Sequence, residues 1–410
     1  KMVGFVKLYF PVFMLGAVFG KVIELSGFSK SIVSSVINLV GRERAMLSIV
    51  LVCALLTYGG VSLFVVVFAV YPFAAEMFRQ GNIPKRLIPG TIALGAFTFT
   101  MDALPGTPQI QNIIPTTFFK TNTWAAPTLG VIGGVFILIV GLTYLNWRRR
   151  SAQNAGEGYG ENLLNEPEPF PDEKLANPVI AILPLFVVGI FNKVFTTVIP
   201  DMYGKVHDLV LPGLAKPIAT DVTKIAAIWA VEAALLLGIL CVLAFAFKPV
   251  MAKFADGSKA AVGGALLASM NTASEYGFGA IIAALPGFIY IADALKAIPN
   301  PLINEAISIS TLAGITGSAS GGMSIALAAM SETFIANANA AGIPLEVFHR
   351  VASMASGGMD TLPHNGAVIT LLAVTGLTHK QSYGDIFAIT VIKTSAVFVV
   401  IAAYYLFGIV

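Results

Sequence analysis

The sequence predicts an all-α polytopic membrane protein, an inverted repeat with two re-entrant helical hairpins and two broken transmembrane helices. Three observations carry this. The 410 residues are 56% hydrophobic and only 11% charged, against about 25% charged in soluble domains, and the mean hydropathy is +0.82. Several apolar runs reach the roughly 20 residues that a helix needs to cross a bilayer. An unusual phrase, MDALPGTP at 101–108, returns as MDTLPHNG at 359–366.

The apolar runs do not alternate with period two, which excludes a transmembrane barrel. Taken in order, spans are expected at 8–25, 87–118 (interrupted), 126–147, 178–199, 222–247, 260–287, 345–376 (interrupted) and 384–408. Two further apolar regions, 44–78 and 300–336, are dense in Gly and Ser at their centres and read as hairpins. The one hydrophilic stretch, 151–177, carries Glu157, Glu161, Glu166, Glu168, Asp172 and Glu173 among Asn, Gly and Pro, and reads as a solvated cytoplasmic linker. It separates a first repeat, 1–150, from a second, 178–410. Cys53 and Cys241 lie inside apolar runs and read as small buried hydrophobes, with no disulfide or metal framework implied. No stretch resembles a cleavable signal peptide.

The two halves match in order. GGVS (59–62), IP (83–84) and MDALP (101–105) are followed by GGMS (321–324), IP (343–344) and MDTLP (359–363), at offsets of 262, 260 and 258. With hairpins at 44–78 and 300–336, four crossings separate 8–25 from its counterpart 260–287, so the halves run in opposite directions, as in many secondary transporters. The positive-inside rule agrees. Lys21, Lys30, Arg42, Arg44, Arg79, Lys85, Arg86, Arg148, Arg149, Arg150, Lys248, Lys253 and Lys380 share one side, which is then cytoplasmic. About half as many, including Lys120, Lys205, Lys216, Lys296 and Arg350, face the other. The helices at 178–199 and 222–247 have no counterpart before residue 8, so one or two further N-terminal helices are expected in the natural protein, unless the lineage never had them.

A helix broken within a bilayer must have its freed backbone groups satisfied by protein or by water. Pro105, Gly106 and Pro108 break the first helix, and Pro363 and Gly366 the second. Each break opens a half-helix N-terminus that favours an anion. Gly106, Thr107, Gln109, Gln111, Asn112, Thr361, His364 and Asn365 supply the breaks with neutral or titratable groups. The hairpin tips add Thr57, Gly59, Gly60 and Ser62 from one half, and Ser318, Ser320, Gly321, Gly322 and Ser324 from the other. Tight helix packing by small residues is the competing explanation. Asp102 and Asp360 lie in apolar surroundings that cost a charge about 2.5–3.5 kcal/mol. They are candidates for proton coupling or for capping a half-helix, and His364 and Glu275 are further proton-coupling candidates. Glu232, Lys193 and Lys393 are read as snorkelling or interhelical pairs. No Lys or Arg lies within the sequence of a break or tip, so a small monoanion suits the site better than a polyanion, and cotransport of a cation would offset its charge.

The phrases LIPGTIALGAFTFTMDALPGTPQIQNIIPT (87–116), GITGSASGGMSIAL (314–327) and HRVASMASGGMDTLPHNGAVITLL (349–372) resemble the gluconate permease family of the ion transporter superfamily, closest to its hydroxybutyrate-permease-like branch. The resemblance runs from about residue 8 to the C-terminus. It implies proton-coupled uptake of small hydroxycarboxylates across a bacterial inner membrane, with no cofactor. It also implies a dimer-forming scaffold and an elevator-like mobile domain that holds both hairpins and both breaks. The first break, LPGTPQ, differs from the proline- and histidine-rich break of the sugar-acid members and so favours 3-hydroxybutyrate over gluconate. The expectation is therefore a symporter of a small hydroxy-monocarboxylate. Sodium coupling, a channel, and an intramembrane hydrolase built on GSAS with His364 are the alternatives.

Overall fold

The computed structural model describes residues 1–41, 44–161, 163–167, 175–210, 217–282, 285–287, 290, 295 and 298–410. It is helical throughout, apart from one two-stranded ribbon. In chain order the helices are α1 (Met2–Leu25), α2 (Phe28–Val40), α3 (Ala45–Tyr58), α4 (Leu63–Gln80), α5 (Ile88–Ala96), α6 (Phe99–Asp102), α7 (Ile110–Phe119) and α8 (Pro127–Asn154). They continue as α9 (Pro178–Tyr203), α10 (Val222–Ala252), α11 (Phe254–Ile282), α12 (Pro301–Thr316), α13 (Ala319–Ala341), α14 (Leu345–Gly357), α15 (Gly366–Thr375) and α16 (His379–Phe407). Strands β1 (Val206–Leu209) and β2 (Ile218–Asp221) pair antiparallel between α9 and α10.

Among the described residues, six helices, α1, α4, α8, α9, α10 and α16, are long and apolar enough to cross a membrane. The expected hairpins are α3–α4 and α12–α13, and the expected broken helices are α5–α6–α7 and α14–α15, the latter with a 3-10 turn at Gly358–Thr361. Three chain reversals have the same hydrogen-bond closure in both halves. At the hairpin tips, Val61 N–H donates to Leu56 O and Ser318 N–H to Ala313 O. After the hairpins, Ile83 donates to Phe78 O and Ile343 to Ala338 O. After the broken helices, Thr121 donates to Thr116 O and Leu377 to Leu372 O. The IP match in sequence is thus a match in main-chain geometry, whereas GGVS forms the first tip and GGMS lies within α13, beyond the second tip at Gly317 and Ser318.

The broken helices are central. Every residue of α5 and α6 is buried, as is α14 from Val347 onward. They pack among α3, α8, α12 and α16, whereas α1, α9, α10 and α11 pack mainly on one another. This is the environment that irregular backbone needs inside a bilayer.

Several expectations change. Helix α8 runs to Asn154, into the stretch read as linker, and α2 and the ribbon had no counterpart in the hydropathy reading. The linker does not hang free where it is described. Arg86 pairs with Glu157 (2.6 Å) and Lys85 with Glu166 (2.7 Å), while Tyr71 Oη donates to Asn165 O (2.7 Å) and Asn165 Nδ2 to Ala373 O (2.8 Å). Lys85, counted among the cytoplasmic charges, is a buried anchor for this segment. Arg350, counted on the opposite side, is wholly buried within α14. Arg42, Glu168, Asp172, Glu173, Lys216 and Lys296 lie outside the described residues, and so does the side chain of Glu275.

The hydrogen bond from Arg86 holds the Glu157 carboxyl below the usual carboxylate range. A depressed carboxylate stabilises its docked state above the ordinary carboxylate pKa, and that contribution is lost as pH falls through the depressed value. Limited proteolysis of 155–167 should accordingly be slow at neutral pH and accelerate below about pH 4, with Glu157→Gln showing the fast rate at neutral pH. Equal rates for the two proteins would remove the linker clamp.

Candidate functional site

The first break begins where α5 stops at Ala96. Thr98 donates to Leu94 O, Thr100 donates to Gly95 O (2.9 Å), and Thr107 reaches back to Thr100 O (2.7 Å). These hydroxyls replace the main-chain donors that the break removes. Gly106 adopts φ +79°, and a Cβ there would strike the Trp124 ring. The hairpin tip seals the break from one side. Tyr58 Oη donates to Pro105 O (2.8 Å), Gln109 Nε2 donates to Thr57 O (2.7 Å), and Gly60, at φ +97°, lets the tip approach Pro108.

The second break meets the second tip in the same manner. Asn365 Nδ2 donates to Gly317 O (2.9 Å), the Ala319 N–H donates to Asp360 Oδ1 (3.4 Å), and the His364 ring lies against Gly317, whose φ is +66°. Gln111 Nε2, at the start of α7, reaches across to the second break and donates to Asp360 Oδ2 at 2.8 Å. The four segments singled out in the sequence therefore converge, two in each half.

Hydrogen-bond capacity sorts the candidate residues. Asn112 donates to Thr107 O and Thr123 O and accepts from Arg350 and His349, so its amide is fully used inside the protein. Asn365 accepts from Ala367 N and donates to Gly317 O and Asp360. Thr361 bonds to Thr390 (2.6 Å), and Ser318 caps α13 through Gly321 N (3.1 Å). Gly322 packs on Ala313, Gly59 on Leu185, and Ser320 lies 3.4 Å from Thr272. His364 is exposed, unlike the buried Asp102 and Asp360. By contrast, Thr57 Oγ1, Gln111 Oε1 and Ser324 Oγ are buried with no hydrogen-bond partner among the described residues. Ser62 and Gln109, which begin α4 and α7, make no side-chain cap.

Sequence reasoning missed the cations of this site. Arg350 donates to Asp102 O (2.8 Å), Asn112 Oδ1 (3.0 Å) and Ala125 O (2.8 Å), stitching α14 to the first break. Ser353 adds a second donor to Asp102 O at 2.9 Å. Because Arg350 fixes Asn112 Oδ1 as an acceptor, His349 presents Nε2–H to it (3.2 Å), and its Nδ1 shares a hydrogen bond with the Thr121 hydroxyl (2.6 Å). Lys393 donates to Phe97 O and Gly357 O and lies 3.5 Å from Asp102 Oδ2. The absence of Lys and Arg from the break sequences thus did not mean their absence from the site. The available signal was a Lys or Arg inside an otherwise apolar span, a feature that marks function or pairing. Glu305 in α12 is a further buried carboxylate, with no partner for either oxygen among the described residues. Beside the first tip, a cavity of about 430 Å³ is lined by Tyr58, Gly59, Trp124, Leu185 and Lys193, with the Lys193 ammonium 4.8 Å from the Trp124 ring centre.

Arg350→Met would strip Ala125 O of its Arg350 donors and leave Asp102 O to Ser353 and Asn112 Oδ1 to His349 alone, and should lower stability by about 1–3 kcal/mol, read as a fall in Tm in detergent. Arg350→Lys should recover only part, because one ammonium does not reproduce the guanidinium fork. A Tm unchanged in Arg350→Met would show that this network is dispensable.

No family model matches the chain. It is 59% identical, over 419 residues covering all of this chain and 89% of its relative, to the "Uncharacterized transporter YxjC" of Bacillus subtilis (strain 168). Its fold is that of the Alcanivorax borkumensis YdaH transporter, whose crystal structure was described as having an unusual topology. The TM-score is 0.53 at 14% identity, over 99% of this chain and 88% of that one. With its membrane-spanning helices, the chain belongs to the same transporter family as YxjC and is a multi-pass membrane protein.

Proposed function

We propose that this protein is a secondary active transporter that carries a small hydroxy-monocarboxylate, such as 3-hydroxybutyrate or a gluconate-like sugar acid, in symport with protons. The observation that carries the reading is that Thr57 Oγ1, Gln111 Oε1 and Ser324 Oγ, each on an element that borders a break or forms a tip, are among the buried side-chain atoms without a partner among the described residues. A buried polar atom without a partner costs about 1–3 kcal/mol, and a hydroxy acid supplies the missing donors and acceptors. Its carboxylate is placed at the uncapped starts of α4 and α7, where main-chain N–H groups favour an anion.

The charge inventory supports cotransport. Arg350 and Lys393 face Asp102 and Asp360, two cations to two carboxylates, and both cations are already occupied by main-chain carbonyls. An arriving anion finds no spare positive charge, so a proton entering with it offsets the cost of its burial. Asp360 is assigned to coupling because it joins Gln111 of one half to the second tip, with Asp102 behind it and His364 and Glu275 as further carriers. The two halves are assigned opposite membrane orientations, the hairpins and breaks a common moving unit, and α9–α11 the scaffold of a homodimer in a bacterial inner membrane. A hydrolase is not favoured. Ser318 Oγ is engaged by Gly321 N, and among the described residues no Ser–His hydrogen bond forms.

Proteoliposomes with an inward acid gradient provide the test. Uptake of labelled 3-hydroxybutyrate should be saturable and accumulate against its gradient, and Gln111→Leu and Asp360→Asn should each lower it about tenfold or more. Full uptake by both variants would take these residues out of the mechanism.

A further inference from the structure

The C-terminal ends of the two leading half-helices, α5 and α14, come from opposite halves of the chain and meet at one atom. Lys393 Nζ, from the middle of α16, donates to Phe97 O, the residue that caps α5, and to Gly357 O, the last residue of α14. Its third neighbour is Asp102 Oδ2 at 3.5 Å, and Lys393 and Asp102 are each 1% exposed. The approach is close on every side. A Cβ at Gly357 would lie 1.8 Å from Asp102 Oδ2, and one at Gly358 would lie 2.6 Å from Thr394 Oγ1. Two other charges act on this cluster, Arg350, which holds the main-chain oxygen of Asp102, and the Asp360 carboxylate.

Two helix C-termini concentrate partial negative charge. Unwound carbonyls and half-helix C-terminal ends, with a carboxylate beside them, are the ligand set that coordinates a monovalent coupling cation in transporters with broken helices. Here an ammonium already stands in it. We propose that Lys393 is a tethered resident cation occupying what would otherwise be a sodium site, so that transport needs no sodium and removal of the Lys393 side chain creates a site for a free monovalent cation. The inference rests on reading the chain as a coupled transporter. It adds that the coupling-cation position is filled from within, which accounts for a break whose carbonyls are satisfied without a bound metal.

The test compares detergent-solubilised wild-type and Lys393→Ala proteins in sodium, ethylammonium or choline chloride at constant ionic strength. The wild-type Tm should be the same in all three. Lys393→Ala should melt several degrees lower in choline and recover in sodium or ethylammonium, and Lys393→Ala with Asp102→Ala should lose that recovery. If Lys393→Ala yields folded protein only when purified in sodium or ethylammonium, that carries the proposal, and failure in all three salts overturns it. A folded Lys393→Ala protein that ignores the salt, or a wild-type protein whose Tm or uptake rises with sodium, also overturns it. The melting arms contain no substrate, so their failure is distinct from failure of the transport reading, which the uptake of wild-type protein tests alone.

Discussion

The organising constraint is that a helix interrupted inside a bilayer exposes main-chain donors and acceptors where water does not satisfy them. Nearly every polar residue near the breaks answers to it. Thr98, Thr100 and Thr107 return hydroxyls to carbonyls within the first break. Arg350 and Ser353 of α14 reach across to Asp102 O, and Lys393 of α16 satisfies the last carbonyls of α5 and α14 together. The cations that a sequence reader would assign to ligand binding are thus first of all surrogates for missing helix hydrogen bonds. Their charge then sets the electrostatics within which any ligand must fit.

This division separates scaffold from opening. Asn112 has no hydrogen-bonding capacity left over, whereas the amide oxygen of Gln111, one residue away, does. Adjacent residues on a helix point about 100° apart, so a single turn of α7 carries both a structural pin and a free acceptor. The hydroxyls divide likewise: Ser318 and Thr361 are consumed, Thr57 and Ser324 are not. Composition alone does not distinguish such neighbours, because the deciding quantity is which partners tertiary packing brings within reach.

That is also the boundary of what was legible in the sequence. The repeat of MDALP and MDTLP, the paired IP turns and the Gly-Ser centres locate both hairpins and both broken helices to within a few residues, because proline, glycine and apolar length act locally. The 13-residue α2 was not read because its two-sided contacts, to α1 and α9, follow from tertiary packing rather than from membrane-spanning length. Lys393 does form an interhelical pair, with Asp102, but that it and Arg350 reach the breaks was not read, for a related reason. Long side chains act several ångströms from their own position in the sequence, so a motif search confined to the breaks counts none of the charge delivered from α14 and α16. The linker acids were seen, but their docking onto Arg86, Lys85 and Arg79 depends on where α4 and α5 end in space.

The two halves repeat their main-chain turns but not their chemistry. The second half caps its own half-helices, through Ser318 and Asn365, whereas the corresponding starts at Ser62 and Gln109 have no side-chain cap. Both cations buried at the breaks, Arg350 and Lys393, also come from the second half, and both spend their donors largely on the first. A repeated backbone with unequal capping has a definite consequence. The second break is held by its own residues, while the first is held by its partner half and leaves helix N-termini and hydroxyls uncommitted. Any anion admitted between the halves therefore meets the first break as its electropositive wall and Asp360, through Gln111, as its link to the second. Symmetry of the frame supplies two equivalent openings, and the inequality of the polar groups decides which face of the site binds.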